Sequence, residues 1–202
     1  LARLEVSSGF LGKLGCDEEA QYYRDDFREL GGDCSRFKDS ADSPTARCLS
    51  MVTPDSERTM RTFLGAAATL APDEVAVADF DGFHHAHIEG YLLFNLELAK
   101  KVLKTAKEAG CTVSLDLGSP EVVSASEDVL EQLLRDYVDI VFANEQEAAA
   151  YAGDDDPKVG LDKLCEVCDI AAVKLGKEGA LLKQNKQVHT IPASPVHNVI
   201  DT

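Results

Sequence analysis

The sequence predicts an α/β fold, a three-layer α/β/α sandwich around a mostly parallel sheet. Short apolar runs of strand length alternate along the chain with helical segments of about 10 to 15 residues. The clearest helix covers residues 96–109, where apolar side chains recur at three- and four-residue steps and lysines share the opposite face. This alternation indicates parallel strands joined by right-handed crossovers, with helices on both faces of the sheet.

The first third of the chain is predicted to hold strands and one long helix. Residues 10–14 form an apolar strand, and a helix over residues 17–30 follows, with an acidic first turn and a glycine pair as its stop. Residues 46–52 are a second extended run that ends at a Thr-Pro-Asp turn. Residues 58–63 are its expected partner, and a helix is expected over residues 66–70.

The rest of the chain repeats the strand-then-helix unit. The predicted elements are strands at residues 75–78, 88–93, 111–115, 138–142, 170–173, 180–182 and 187–190, a leucine-rich helix capped by Ser124 or Ser126, and helices at residues 145–151 and 159–167. The polar loop at residues 153–157 is too short to separate domains. We therefore expect one domain over residues 1–202.

Composition excludes several classes of partner. The chain has 202 residues, with 20 basic and 36 acidic side chains and a net charge of -16. Nucleic acid and anionic membrane surfaces are therefore poor candidate partners. No apolar run approaches the roughly 18 residues of a membrane span, and no secretory signal pattern opens the chain, so we expect a cytoplasmic protein. Six cysteines are too few for a disulfide scaffold.

Asn144 and Glu147 form the first polar motif. They stand at positions i and i+3 where the strand at residues 138–142 ends and a helix begins, so both side chains lie beside the positive end of that helix. A carboxylate there can hold the hydration shell of Mg²⁺, and an amide can orient phosphate oxygens. The same spacing also fits a helix cap with a capping-box glutamate. The two interpretations are compatible.

The second motif is the glycine-bearing turn at residues 174–179. Strand-like runs flank it on both sides, so it is neither a Walker A loop nor a dinucleotide fingerprint, both of which open a helix. Gly176 and Gly179 would let backbone amides approach a phosphate or an adenine. The alternative is an ordinary hairpin turn.

Three other groups are weaker candidates for a site. His85 and His87 alternate on one face of a strand, but two ligands without a third rarely suffice for a metal, and a polar loop entering a strand is favoured. Cys165 and Cys168 form a lone C-x-x-C inside a helix, which favours core packing. Two aspartates that follow a predicted strand are expected to be solvated loop acids rather than substrate ligands; these are Asp79 and Asp81.

Taken together, these stretches resemble the PfkB family of carbohydrate kinases, which includes ribokinase and adenosine kinase. The resemblance runs in the family's order over nearly the whole chain, through residues 10–17, 45–60, 89–93, 114–117, 144–147 and 174–179. It implies a ribokinase-like domain with a partial small β lid at about residues 33–63. Residues 144–147 fit the family's Asn-x-x-Glu motif. Asp201 and Thr202 resemble the opening of its signature Asp-Thr-(Thr or Asn)-Gly-Ala-Gly-Asp.

The resemblance also implies roles for individual residues. Asn144 and Glu147 would organise Mg²⁺ and the transferring phosphate. Three residues would face the nucleotide, namely Lys174, Gly176 and Gly179. Lys174 stands where many relatives have Thr. Asp201 and Thr202 would belong to the anion hole and to the K⁺ site of some members, and the general base, a later Asp of the signature, is expected beyond Thr202.

The function that the resemblance implies is transfer of the ATP γ-phosphoryl group to a hydroxymethyl oxygen of a sugar or nucleoside. Such transfer depends on positioning and electrostatic stabilisation. The resemblance implies a chain incomplete at both termini, so we expect no useful turnover from residues 1–202 alone. Some family members pair their lids, so the resemblance allows a homodimer and leaves the oligomeric state open. The alternative is a non-catalytic nucleotide-binding or regulatory protein on the same fold; a Rossmann oxidoreductase is disfavoured because no G-x-G-x-x-G opens a helix.

Overall fold

The computed structural model describes residues 4–54 and 58–195. They form an α/β protein whose largest sheet is mostly parallel, which confirms the predicted fold class. The chain divides into two units, one ending at Glu74 and one running over Val75–Pro195. None of the helices within the described ranges has both the length and the apolar character needed to cross a membrane.

Over its described residues, 4–54 and 58–74, the first unit contains one α-helix and two small sheets. Its elements are β1 (Gly12–Gly15), α1 (Glu18–Glu29), β2 (Phe37–Ser40), β3 (Arg47–Val52), β4 (Arg58–Phe63) and 3₁₀ turns at Gly65–Thr69 and Pro72–Glu74. β1 pairs in parallel with β2, and β3 pairs with β4 in an antiparallel hairpin. Leu14, Ala20 and Phe37 form its buried core, against which Phe27 packs. The helix expected over residues 66–70 is thus a short 3₁₀ turn.

The root of the β3–β4 hairpin is fixed by a small polar network. The Asp17 carboxylate accepts hydrogen bonds from the Thr45 backbone N–H (2.7 Å) and hydroxyl, and the Thr45 hydroxyl accepts from Gly15 N (3.0 Å). These Thr45 bonds hold the pKa of Asp17 below its usual value. At the same root, Ala66 N, after β4, donates to Pro44 O, before β3 (2.7 Å). The chain entering the hairpin and the chain leaving it are therefore both fixed within the first unit.

Beyond its root, the hairpin is exposed on both faces. Leu49, Met51 and Phe63 share one face, while Val52 and Met60 lie on the other, and all five side chains are exposed. Apolar side chains on both faces of a two-stranded ribbon leave it without a core of its own.

The second unit is a six-stranded sheet with its crossover helices. Its elements are β5 (His85–Glu89), α2 (Leu96–Glu108), β6 (Thr112–Asp116), α3 (Pro120–Ala125), α4 (Glu127–Tyr137), β7 (Ile140–Asn144), α5 (Glu145–Ala152), α6 (Pro157–Leu164), β8 (Ile170–Lys174), β9 (Ala180–Gln184) and β10 (Gln187–Ile191). The strand order is β10-β9-β8-β7-β6-β5. β5 to β8 run parallel, and β9 and β10 continue the sheet antiparallel.

One face of this sheet forms the main core. Val113 and Leu115 on β6, Val141 and Ala143 on β7, and Val173 on β8 are fully buried. Their alternation with less buried residues is the period-2 pattern of a strand. The alternate positions point to the opposite face and end, at the carboxyl edge of the sheet, in polar side chains.

Two strands predicted before α2 are wrong. Residues 75–78 begin a 3₁₀ turn, Val77–Phe80, because the Asp79 carboxylate accepts from Ala76 N (2.8 Å) and curls the chain. The strand predicted at residues 88–93 lies earlier, at β5. The chain then turns at Gly90, which packs directly on the backbone that follows β6. Tyr91-Leu92-Leu93 is apolar like a strand but belongs to a 3₁₀ turn.

Two helix predictions are also corrected in detail. Ser126 precedes α4, yet its hydroxyl donates back to Val122 O (2.7 Å) instead of capping that helix, and Ser119 caps the preceding α3 by accepting from Val122 N. The helix expected at residues 159–167 is α6, which ends earlier, at Leu164, and begins earlier because Asp156 caps it ahead of a proline at its first position.

Candidate functional site

Four polar side chains meet where neighbouring parallel strands end. Glu89 of β5 pairs with Asp116 of β6, and Asn144 of β7 pairs with Lys174 of β8. Asp116 is in register with Phe142, two residues before Asn144, so all four side chains lie on one face. The carboxyl edge of a parallel sheet is the usual place for a ligand.

Asn144 and Glu147 are bonded to each other at the start of α5. The Glu147 carboxylate accepts from Asn144 N (2.7 Å) and from Asn144 Nδ2 (2.7 Å), while Asn144 Oδ1 accepts from Glu147 N (2.8 Å). The capping-box interpretation of the motif is therefore confirmed. The same bonds hold the carboxylate in one orientation at the sheet edge.

The Glu147 carboxyl is buried among other charges. The residue is 2% exposed, and burial raises the pKa of its carboxyl above the usual value. Asp116 and Glu89 also raise this pKa, whereas the Asn144 hydrogen bond and the charge of Lys174 lower it. A buried carboxylate at an acidic edge is a group that gains from a nearby cation.

Lys174 already supplies one cation at this edge. Its Nζ lies 2.7 Å from Asp116 Oδ2, with the Lys174 side chain 49% exposed and that of Asp116 22% exposed. The other carboxylate oxygen, Oδ1, accepts from Gly118 N (3.1 Å). The carboxylate is thus held by a fixed backbone donor on one side and by a flexible lysine on the other.

The turn after β8 has the predicted strand-turn-strand geometry. Leu175 N donates to Gly179 O (2.8 Å), and one 3₁₀ turn spans Gly176–Glu178 before β9 begins. Gly176 and Gly179 both have positive φ, of 52° and 99°. A Cβ on Gly176 would point into open space, whereas one on Gly179 would collide with backbone atoms of residues 191–193. Gly176 therefore leaves a backbone open to a ligand, and Gly179 is required by packing.

The donor set at this edge suits Mg²⁺ held through water. Carboxylate and amide oxygens are the ligands this ion prefers, and it commonly keeps several waters. Within residues 4–54 and 58–195, no three His, Cys, Asp or Glu side chains are arranged as a direct metal cage. Since both oxygens of Glu147 already accept hydrogen bonds from Asn144, this carboxylate fits contact with bound water better than direct ligation.

The histidine pair is bonded within the sheet. His85 Nε2 and His87 Nδ1 lie 2.9 Å and 2.8 Å from the Ser114 hydroxyl, and His85 Nδ1 lies 2.8 Å from Thr112 Oγ1. The His87 ring also meets Phe142 edge-on. Both imidazoles therefore have hydrogen-bond partners on β6 that do not require a metal.

The C-x-x-C cysteines pack as small, partly buried groups. Cys165 Sγ donates to Lys183 O, and Cys168 Sγ donates to Leu164 O and Ile170 O. Burial raises the pKa of both thiols, that of Cys168 to about 12. Thiols so far from ionisation are poor metal ligands and poor nucleophiles.

The structure brings together Asn144, Glu147 and Lys174, with the glycine turn on the same strand end. Asp201 and Thr202 lie outside the described residues. The sequence analysis did not assign Glu89 and Asp116 to the site. Each is an acidic residue at the end of a strand, and this position could have identified them as candidates.

Comparison with known proteins identifies the family. A family model for pfkB family carbohydrate kinases matches residues 1–202. The chain belongs to the PfkB family of carbohydrate kinases. An ATP-dependent ribose-1-phosphate kinase of Halopiger xanaduensis is 31% identical over 201 residues, which is 100% of this chain and 62% of that relative.

Solved structures of PfkB-like kinases have the same fold. The adenosine kinase of Sinorhizobium meliloti has a TM-score of 0.89 at 30% identity, over 100% of this chain and 63% of that one. A ribokinase II of Escherichia coli, solved with ATP and Mg²⁺, has a TM-score of 0.85 at 22% identity, over 98% of this chain and 66% of that one. The chain thus spans less than two thirds of the length of the ribose-1-phosphate kinase and the adenosine kinase.

Proposed function

We propose that this PfkB chain carries the nucleotide and Mg²⁺ corner of an ATP-dependent phosphotransferase. The acceptor would be a hydroxymethyl oxygen of a sugar or nucleoside, since the similar proteins include a ribose-1-phosphate kinase and an adenosine kinase. The main support for this proposal is the register of Asn144 with Lys174. It places the Asn-x-x-Glu helix start beside the glycine turn, at the ends of adjacent strands. With ATP as donor, the cytoplasm is the proposed location.

Each residue at this corner has a proposed role. Glu147 and Asn144 would orient the water shell of Mg²⁺, and the ion would supply charge neutralisation for the transferring phosphate. Gly176 leaves its backbone open to the nucleotide, and Gly179 shapes the turn that presents it. Lys174 would contribute positive charge to the phosphates.

Further parts of the proposal concern the rest of the chain. We propose that the β3–β4 hairpin belongs to a small lid within one ribokinase-like domain, and that exposed apolar side chains on it pair two copies in a homodimer. Asp201 and Thr202 are proposed members of an anion hole and of a K⁺ site, on the family resemblance alone.

Nucleotide binding by residues 1–202 tests the proposal directly. We expect a non-hydrolysable ATP analogue to raise the melting temperature of the purified chain, and Mg²⁺ to increase that shift. Glu147→Gln should abolish the Mg²⁺-dependent part. Glu145→Gln is the matched control, because Glu145 lies in the same helical turn but is exposed. An equal effect of the two substitutions, or no nucleotide shift in the wild type, contradicts the proposal.

Acceptor binding separates a kinase chain from a non-catalytic nucleotide-binding protein. A kinase corner predicts that adenosine, ribose or ribose 1-phosphate changes the nucleotide affinity of the chain, whereas a regulatory protein need not bind any acceptor. We expect residues 1–202 to bind without useful turnover. Transfer of labelled phosphate from ATP to an acceptor at ordinary kinase rates would contradict that expectation.

A further inference from the structure

Lys174 is a basic side chain at an edge that is otherwise acidic. The charges of Glu89 and Asp116 raise the pKa of the buried Glu147 carboxyl, and the charge of Lys174 lowers it. With three acidic side chains and one basic side chain, this edge carries an excess of negative charge. A cation that binds there therefore meets a lysine already in contact with one of the carboxylates.

The Lys174 side chain reaches its partner across a strand. It starts on β8, its register partner Asn144 lies on β7, and its ammonium group ends 2.7 Å from Asp116 on β6. The lysine is half exposed, and exposed ion pairs of this kind are weak and readily exchanged. Lysine carries its charge on a flexible stem, so the ammonium group can turn elsewhere without moving the backbone.

Asp116 does not depend on the lysine for its orientation. Gly118 N donates to Asp116 Oδ1 at 3.1 Å, and Gly118 has φ of 80°, a conformation that favours glycine. If the ammonium group leaves, Asp116 keeps this bond and presents a free Oδ2 oxygen. The carboxylate is therefore ready for a second cation in the same place.

We propose that Lys174 is an internal counter-ion that holds Asp116 until a divalent cation binds, and that its ammonium group then turns to a phosphate oxygen of the nucleotide. The inference rests on the proposed function and adds a positioning residue to it. The competition follows from charge, because one oxygen of Asp116 cannot serve the ammonium group and a divalent ion equally well. The second position follows from placement, because Lys174 immediately precedes the glycine turn.

The proposal predicts opposite effects on two ligands when the lysine is removed. Lys174→Met should bind Mg²⁺ alone roughly tenfold more tightly, since an internal competitor is gone, and should bind ATP at saturating Mg²⁺ roughly tenfold more weakly, since the ammonium group that turns to the phosphate is missing. Isothermal titration calorimetry on residues 1–202 measures both affinities. A purely structural role for Lys174 would weaken both. Lys177→Met is the control, since Lys177 is exposed in the same turn, and it should leave Mg²⁺ affinity unchanged.

Two further variants locate the effect at Asp116. In an Asp116→Asn background, removal of the lysine should no longer tighten Mg²⁺ binding, because the shared carboxylate is gone. Lys174→Arg keeps a positive charge beside Asp116, so this variant should bind Mg²⁺ no more tightly than the wild type. It provides a test if Lys174→Met fails to fold.

The outcomes distinguish this inference from the proposed function. The counter-ion proposal is overturned by equal or weaker Mg²⁺ binding in Lys174→Met, by unchanged ATP binding of this variant at saturating Mg²⁺, or by a gain in Mg²⁺ affinity that persists without Asp116. If the wild-type chain binds ATP with Mg²⁺ but the variants give any of these results, the proposed function stands and only the inference is lost. If the wild-type chain binds no nucleotide, with or without Mg²⁺, both are overturned.

Discussion

Asn144 and Glu147 hold each other through hydrogen bonds that use the backbone N–H and the side chain of both residues. This relationship serves two purposes at once. It satisfies backbone donors at the start of α5, and it fixes a buried carboxylate at the edge where β7 meets β8. Stability and ligand binding at this corner should therefore respond to the same substitutions.

Glu147→Gln should destabilise the protein. A glutamine would place an amide N–H against one of the two Asn144 donors, leaving buried groups unpaired, at a cost of about 1 to 3 kcal/mol in the free energy of unfolding. Urea denaturation measures it. Glu145→Gln, on the exposed side of the same turn, should change the free energy by less than about 0.5 kcal/mol. Equal stabilities for the two variants would contradict the buried role of Glu147.

The effect of Glu147 should also depend on pH. Burial, with help from Asp116 and Glu89, raises the pKa of Glu147 above its ordinary 4.5. The folded state therefore favours the protonated acid, and the stabilising contribution is complete below the unfolded pKa and is lost as pH rises through the folded pKa. The advantage of wild type over Glu147→Gln should be larger at about pH 4 than at about pH 8. A gap that widens with pH would mean that the pKa is lowered instead.

The sequence predicted this corner because its information is local. Asn144 and Glu147 stand three residues apart at a strand end, and both the cap and the strand leave a pattern in a single short window. The contact between Lys174 and Asp116 was not predicted, because it depends on the order of three strands that are distant in the chain. Register and strand order are properties of the assembled sheet.

The two glycines of the turn should differ in their tolerance of a side chain. Gly179→Ala combines a left-handed φ with collisions against the backbone of residues 191–193, so β10 must shift or the turn must open. Gly176→Ala meets only the conformational penalty, about 1 kcal/mol, since its Cβ would face open space. Thermal denaturation should show a clearly larger loss for Gly179→Ala. A larger loss for Gly176→Ala would contradict the packing.

Lys13 should stabilise the first unit through an ion pair with Glu74. Its Nζ donates to both Glu74 oxygens (2.8 Å) and to Thr69 O (3.2 Å), and the lysine side chain is only 12% exposed. Lys13→Met should cost about 1 to 3 kcal/mol at neutral pH, measured by urea denaturation. Lys100→Met, at an exposed position on α2, is the control.

Acid should remove this contribution. The Lys13 hydrogen bond holds the pKa of Glu74 below its ordinary 4.5, so the stabilisation is present above that value and is lost as pH falls through the folded pKa. The difference between wild type and Lys13→Met should shrink towards about pH 3. A constant difference would assign the effect to packing of the lysine stem.

Cysteine reactivity should divide four of the six thiols into two groups. Burial raises the pKa of Cys168 to about 12 and also raises that of Cys165, whereas Cys16 and Cys48 are exposed. Iodoacetamide at about pH 8 should label Cys16 and Cys48 in the folded protein and leave the other two unlabelled until urea is added. Mass spectrometry reads the sites. Rapid native labelling of Cys168 would contradict its partial burial and raised pKa.

The wrong strand predictions have a physical cause that a single window does not contain. Tyr91-Leu92-Leu93 has strand-like composition, but Gly90 lies against the backbone after β6, and this close approach turns the chain. At residues 75–78, one acid decides the outcome, because Asp79 bonds to Ala76 N and stabilises a turn. In both places the apolar composition suggested a strand, whereas a contact with a neighbouring group sets the geometry.

The polar network at the hairpin root has a consequence for the ribbon. Gly15, Asp17 and Thr45 fix the place where the ribbon leaves the first unit, and none of them lies on the ribbon itself. Substitutions along β3 and β4 would then change the side chains that the ribbon exposes without altering its point of attachment.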